Sequence, residues 1–227
     1  MKNIDIEMLE FTKNIYGGVN MSEMVALYDT IIKHLKCPEG IAADLGSHEG
    51  KSSVIGVAAL SFLNRTDDFY SVEVIEFGKP GVKQKVKERI TKYSSGKVTL
   101  IQSFSSEFID QHDGPFSYVF IDTDHTLEIC MGEAKGLEDK MHSGGLIFFH
   151  DFKNQYPAPA QVYAYLIDTG KYEEIKVDWD FAIQLTKEHE LEKDDVTFAR
   201  YDGVHSPSLS ELTTFEYPTF IGCVRRI

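Results

Sequence analysis

Along residues 22–35, Met24, Leu27, Tyr28, Ile31, Ile32 and Leu35 recur at helical spacing. This predicts an amphipathic helix that Pro38 and Gly40 terminate. The next apolar run, Ile41–Leu45, is short and stops at Gly46, and helical spacing resumes over Lys51–Leu63. The pattern reads as strand, glycine turn, helix. It repeats with strands expected over Phe69–Val74, Val98–Gln102, Tyr118–Ile121 and Leu146–Phe149. Helices are expected over Val82–Tyr93, near Ser105–Asp110 and over Leu127–Met141. The breaks fall at Pro80-Gly81, Asp113-Gly114-Pro115 and Ser143-Gly144-Gly145.

Tyr118–Ile121 and Leu146–Phe149 are apolar throughout, as strands covered on both faces should be. The alternation therefore predicts an α/β fold: a Rossmann-like, doubly wound, mostly parallel sheet in three α/β/α layers with right-handed crossovers. Ligands in such sheets bind outside the carboxyl ends of the strands. Beyond Asp151 the pattern changes. Pro159–Ile167 fits a helix, while Glu173–Val177, Phe181–Leu185 and Thr219–Arg225 read as strands closing an antiparallel edge. Residues 188–217, polar and acidic, read as a long loop or flap. We expect one domain, with a helical cap over 1–40, a cofactor-binding core over 41–152 and a sheet-completing, substrate-side segment over 153–227.

Composition narrows the partners. Of 227 residues, 42% are hydrophobic and 26% charged, as in an ordinary globular chain. The net charge of −13 would repel phosphate backbones and anionic lipid surfaces, so neither nucleic acid nor membrane is expected as a partner. Cys37, Cys130 and Cys223 are widely spaced and odd in number, which suits reduced thiols rather than a disulfide framework or structural zinc. Charges interrupt the first twenty residues as they would not in a signal peptide, and no run is long enough to span a bilayer. A cytoplasmic location is expected, with homo-oligomerisation left open.

The candidate chemistry starts at Ala43-Asp44-Leu45-Gly46-Ser47-His48-Glu49-Gly50-Lys51, a tight turn opening a helix. A dinucleotide fingerprint needs G-x-G-x-x-G, and position 48 is His, which disfavours NAD. Glu73, at the end of the second strand, is placed to hydrogen-bond both hydroxyls of a ribose. Both features also have plain readings, as a structural turn and a solvated strand end.

Together Asp44, Gly46, Gly50 and Glu73 resemble the first two motifs of the class I S-adenosylmethionine (SAM)-dependent methyltransferases. The resemblance implies that Asp44, Gly46, Ser47 and Gly50 form the cofactor turn, with backbone near the amino-acid part of SAM. It implies that Glu73 holds the ribose, that Ser103 lies near the adenine and that Asp122 also contributes to the cofactor site. His48, inside the turn, is expected beside the cofactor rather than in catalysis. The segments Ile121-Asp122-Thr123-Asp124-His125 and Gly144-Gly145-Leu146-Ile147-Phe148-Phe149-His150-Asp151 are more specific. They resemble the branch containing macrocin-type sugar O-methyltransferases and cephalosporin hydroxylase-like proteins. Thr123 stands where that branch commonly has glycine.

Asp122 and Asp151 fall at the ends of consecutive strands, and carboxylates converging there without Lys or Arg call for a cation. Asp122, His150 and Asp151 are the expected metal ligands. Oxygen ligands favour Mg²⁺, and an imidazole from His150 shifts the preference toward Mn²⁺. The plain alternative is that Asp124 caps the next helix and His150 is a satisfied strand-end histidine. His125, three residues after Asp122, is expected as the general base that activates an acceptor hydroxyl. The expectation is a metal-assisted O-methyltransferase acting on a small-molecule hydroxyl of a sugar or natural product. Its alternatives are a SAM- or nucleotide-binding module without turnover and a hydroxylase-like protein.

Overall fold

The computed structural model describes residues 4–152, 156–191 and 221–227. The N-terminal part forms α1 (Ile6–Lys13) and α2 (Met21–His34). The core then runs β1 (Ile41–Leu45), α3 (Lys51–Phe62), β2 (Asp68–Val72), a 3-10 turn over Glu76–Gly78, α4 (Val82–Thr91), β3 (Val98–Ile101), α5 (Ser105–Gln111), β4 (Phe116–Ile121), α6 (Leu127–Leu137) and β5 (Met141–His150). After it come α7 (Pro157–Asp168), β6 (Tyr172–Ile175), α8 (Trp179–Glu188) and β7 (Ile221–Arg226). The sheet order is β3-β2-β1-β4-β5-β7-β6. Strands β1 to β5 are mutually parallel, and β7 lies antiparallel to both β5 and β6. The strand order reverses direction between β1 and β4, so the crevice above that pair is where such a sheet receives ligands. Among the described residues no helix is long and apolar enough to cross a membrane.

Every residue of β4 is buried, because both faces of the sheet are covered. Tyr118 and Phe120, with Leu146 and Phe148 of β5, pack with α2 and α3 on one face. Val119, Ile121, Ile147 and Phe149 pack with α5, α6 and α7 on the other. Alternate side chains thus feed two apolar layers, and the strand reads as a continuous hydrophobic run. The sequence pattern suggests a one-sided α2, yet residues 21–32 are all buried. Contacts with α1, α3, α8 and the sheet surround that helix. A reciprocal capping box starts it: the Asn20 side chain accepts from the Glu23 N–H, and Glu23 accepts from the Asn20 N–H. The Asp5 side chain caps α1, an element the sequence pattern does not single out.

Three expectations change. Phe181–Leu185, expected as a strand, lies inside α8. The buried residues there are Trp179, Ala182 and Thr186, a helical spacing, and Asp178 caps the start by accepting from the Phe181 N–H. A five-residue apolar run does not distinguish a strand from one face of a helix. The helix expected to reach Met141 stops at Leu137, because Phe116 pairs with Met141 and β5 begins there. Ser143-Gly144-Gly145, expected as the break before the strand, is an irregularity within β5, where the register shifts between the Phe116 and Tyr118 pairings. Residues 192–217 of the expected flap, and Thr219 of the last expected strand, lie outside the described residues.

Two contacts hold the loops above the sheet. At Gly46 (φ +86°), an added Cβ would sit 1.9 Å from the backbone oxygen of Asp122, so the β1 turn meets the end of β4 backbone to backbone. The other contact is Glu133 on α6, fully buried, whose carboxylate accepts from Ser105 at the start of α5 and from Thr123 (2.8 Å) after β4. Thr123, at the position where the resembled branch has glycine, therefore ties the β4 loop to the helix beneath it. Burial pushes the Glu133 carboxyl up to about 7, against the hydrogen bonds from Ser105 and Thr123.

Gly46→Ala should destabilise the protein by about 2–4 kcal/mol in urea unfolding, since both φ and the Asp122 carbonyl oppose a side chain. Wild-type stability after this change would show that the two loops separate freely. Glu133 binds its proton more tightly folded than unfolded, so its contribution is complete below pH about 4.5 and is lost as pH rises through about 7. Comparing wild type with Glu133→Gln across that window should remove a slope worth about 3 kcal/mol. Parallel pH–stability curves would place the ionisation elsewhere.

Candidate active site

The turn after β1 is fastened to β2, as the Gly46 and Ser47 N–H groups both donate to the Val72 carbonyl (2.9 and 3.1 Å). Gly50 (φ +84°) opens α3 in the left-handed conformation, and His48 is left-handed without being glycine (φ 49°). Asp44 and Ser47 point inward. The fully buried Asp44 carboxylate accepts from Ser52 (2.8 Å) and Ser53, pinning the first turn of α3 to β1. Burial lifts this carboxyl to about 7, against those serine hydrogen bonds. The Ser71 hydroxyl bridges Ser47 (2.7 Å) and Ser53 (3.1 Å). Side chains of this motif thus brace the turn.

Glu73 follows β2 and is tied down by backbone. One oxygen accepts from the His48 N–H (3.0 Å), and the other accepts from Ile75 (2.8 Å) and Glu76 (3.3 Å). A carboxylate offers about four acceptor positions, so the oxygen facing His48 keeps one. Ser103, after β3, donates to the Phe104 carbonyl and to Glu107. Beside Glu73 and Ser103 stand Ile75 and Phe104, 68% and 60% exposed, an apolar pair at the carboxyl ends of adjacent strands. Tyr16, from the connection between α1 and α2, lies against the His48 ring (5.3 Å between centroids).

The second constellation sits at the ends of β4 and β5. Asp122, His125, His150 and Asp151 each bring a ligand atom within 4.8 Å of the others, a donor set of two carboxylates and two imidazoles. His125 Nε2 lies 3.8 Å from Asp122 and 3.4 Å from Asp151, buried and without a hydrogen bond among the described residues. His150 Nδ1 is 2.9 Å from Asp122 Oδ1, and its Nε2 is 3.5 Å from Glu23 of α2. Burial opposes charge on His150, but Asp122 and Glu23 outweigh it and hold the imidazole well above its ordinary value. Burial likewise opposes ionisation of Asp122, and His150, His125 and His48 together bring it below the usual range. The backbone at Asp151 is left-handed (φ 52°), a conformation that costs a non-glycine residue about 1–2 kcal/mol. Asp124 is not one of the four and accepts from the Thr126 N–H (2.9 Å) in a turn ahead of α6, whose N-cap residue is Thr126 and which has no side-chain cap, so Asp124 does not cap the helix as the plain reading expects.

Sequence reasoning misses Glu23 and Tyr156. Glu23 is 2% exposed and reaches His150 from a helix outside the β–α alternation; its only sequence signal is the N-x-x-E capping spacing. The Tyr156 ring stacks on His125, with centroids 4.6 Å apart and planes at 21°, from the residue before α7. No spacing rule announces that contact.

Residues 43–152 match a family model described as a methyltransferase domain. No curated protein matches the sequence. Among solved structures, the chain is similar to the S-adenosylhomocysteine (SAH)-bound methyltransferase PaMTH1 from Podospora anserina. The identity is 14%, over 75% of this chain and 81% of that one, with a TM-score of 0.54. It is also similar to the TDP-rhamnose 3'-O-methyltransferase CalS11, an enzyme of calicheamicin biosynthesis, at 11% identity over 69% and 72% with a TM-score of 0.52. An rRNA methylase from Streptococcus thermophilus matches at 13% over 88% and 93%, with a TM-score of 0.50. The family match, the glycine turn with its acidic partner and the doubly wound sheet agree: residues 43–152 match a methyltransferase domain, on a fold shared with solved methyltransferases.

Proposed function

We propose that the chain methylates a hydroxyl of a small molecule and that Asp122, His125 and Asp151 are the centre of that reaction. The observation that carries this reading is the convergence of two carboxylates and two imidazoles at the ends of β4 and β5, beside the strand-order reversal. SAM supplies an electrophilic methyl group, and the acceptor oxygen must lose a proton as it attacks. His125 is suited to take that proton, since its Nε2 is buried, has no hydrogen-bond partner among the described residues and faces the cluster. The parallel ring of Tyr156 holds the imidazole plane.

The residues fit both groups. The turn of Gly46 and Gly50 presents backbone, the open acceptor position of Glu73 suits one ribose hydroxyl rather than two, and Ile75 and Phe104 offer an apolar slot for a planar base. Asp122 and Asp151 are the carboxylates that would hold a divalent cation, which when bound would make an acceptor hydroxyl more acidic. With carboxylates as the donors, oxygen-preferring ions such as Mg²⁺ and Mn²⁺ both fit. Both His150 nitrogens already face carboxylates, so in this reading His150 is the internal cation that keeps Asp122 ionised. The net charge of −13 argues against an RNA acceptor. Residues 41–152 serve as the cofactor core of one domain, with the flanking segments on the acceptor side.

Glu73→Ala should weaken SAM binding ten- to a hundredfold, about 1.5–3 kcal/mol, in calorimetry; unchanged affinity would remove Glu73 from the cofactor site. His125→Gln should lower kcat by roughly 10²–10⁴ with SAM affinity nearly intact and Mn²⁺ binding retained. Loss of Mn²⁺ binding would make His125 a ligand instead of the base. Wild-type turnover in EDTA would reject the cation.

A further inference from the structure

Largely outside the family-matched residues, the chain builds a second concavity next to the first. A cavity of about 870 Å³ lies between α2, the turn from β6 into α8 and the start of β7. It adjoins the reactive cluster through two of its lining residues: Phe152 follows Asp151, and Ile221 is the strand partner of His150. Its size falls in the range of about 300–1,000 Å³ usual for small-molecule sites.

The lining has a definite electrical character. Asp29, Glu174, Asp178 and Asp180 face it against Lys33 and Lys176. The Lys33 ammonium is already paired with Asp29 (2.7 Å) and Asp178 (3.2 Å). His34 adds little charge at neutral pH, since burial and the nearby Arg225 hold it below its ordinary value. Glu174 is exposed and lies near Tyr163, whose hydroxyl is pushed up from its ordinary value by burial and by the Glu174 charge. Trp179, only 9% exposed, has an indole N–H with no partner among the described residues. A buried donor of this kind is satisfied by an oxygen acceptor.

We infer that this cavity receives the body of the methyl acceptor, and that the acceptor is a hydroxylated molecule carrying a protonated amine, of the amino-sugar class. The inference rests on the methyl-transfer reading of the adjoining site. An ammonium group finds Glu174 at the rim, and a hydroxyl or ring oxygen accepts from Trp179. A nucleoside-diphosphate sugar would bring two negative charges to a lining richer in carboxylates than ammoniums, on a chain of net charge −13.

The test titrates neamine, maltose and UDP-glucose calorimetrically into the full chain loaded with SAH. Neamine should bind at least about tenfold more tightly than the other two. Glu174→Gln should weaken it about fivefold or more, with the Tyr163 contact preserved. Trp179→Phe should do the same without changing any charge, which separates a built site from general attraction of a polycation to an acidic protein. SAH affinity should stay at the wild-type value in both variants, with thermal melting unchanged in Glu174→Gln and lowered by a few degrees in the folded Trp179→Phe, which loses buried volume. UDP-glucose binding as tight as neamine, or neamine affinity indifferent to both substitutions, overturns the inference. Methyl transfer is read separately from SAH release with SAM: neamine bound at this cavity with no hydroxyl methylated would count against the proposed reaction while leaving the site in place.

Discussion

The approach of the Asp122 carbonyl to the Cα of Gly46 governs the active end of this molecule. It brings the turn after β1 and the loop after β4 together at a distance no side chain would allow, and the Asp122 N–H completes the junction by donating to Leu45 (2.8 Å). His48, whose N–H holds Glu73, comes from the first of these loops, and Asp122 and His125 come from the second. The backbone junction therefore sets the spacing between Glu73 and the cluster containing His125. A methyl transfer along a line needs that spacing held to a fraction of an ångström.

The same region is stabilised by buried acids whose partners are mostly hydroxyls rather than cations. Asp44 is held by two serines and Glu133 by a serine and a threonine, and both carboxyls rest near 7. Asp122 differs in having His150 beside it, which brings it below the usual carboxylate range. Three acids within one end of a sheet thus divide into two that hold loops and one that stays charged facing the crevice. Environment makes the division, not residue type.

Much of this was legible in the sequence because it is local. Glycine turns, apolar strands and helical spacing each occupy one short stretch of chain, and together they define the β–α order and the turn at Gly46. Asp122, His150 and Asp151 were legible because each directly follows or ends a strand whose direction the alternation dictates, and His125 because it lies three residues beyond Asp122 in the same loop. Glu23 and Tyr156 were not, because they meet the cluster through the packing of elements that follow no repeating pattern. The inward direction of Asp44 and Ser47 was hidden for a related reason: a motif names a backbone turn and does not say which way its side chains face. Helix α8 shows the limit from the other side, since its buried spacing emerges only once Trp179 and Thr186 are read together with the apolar run between them.

The sheet closes in an order different from the order of synthesis. β7 inserts between β5 and β6, with Ile221 opposite His150 and Cys223 opposite both Phe148 and Ile175. Until those late residues emerge, β5 lacks a neighbour on one side and β6 has no strand to pair with. The nascent chain therefore carries His150 on an open edge, a state in which β5 is free to accept any extended peptide. Covering that edge and finishing the wall beside His150 are one event, so a ribosome-bound intermediate lacking it would have the glycine turn formed and the sheet beyond β5 unbuilt.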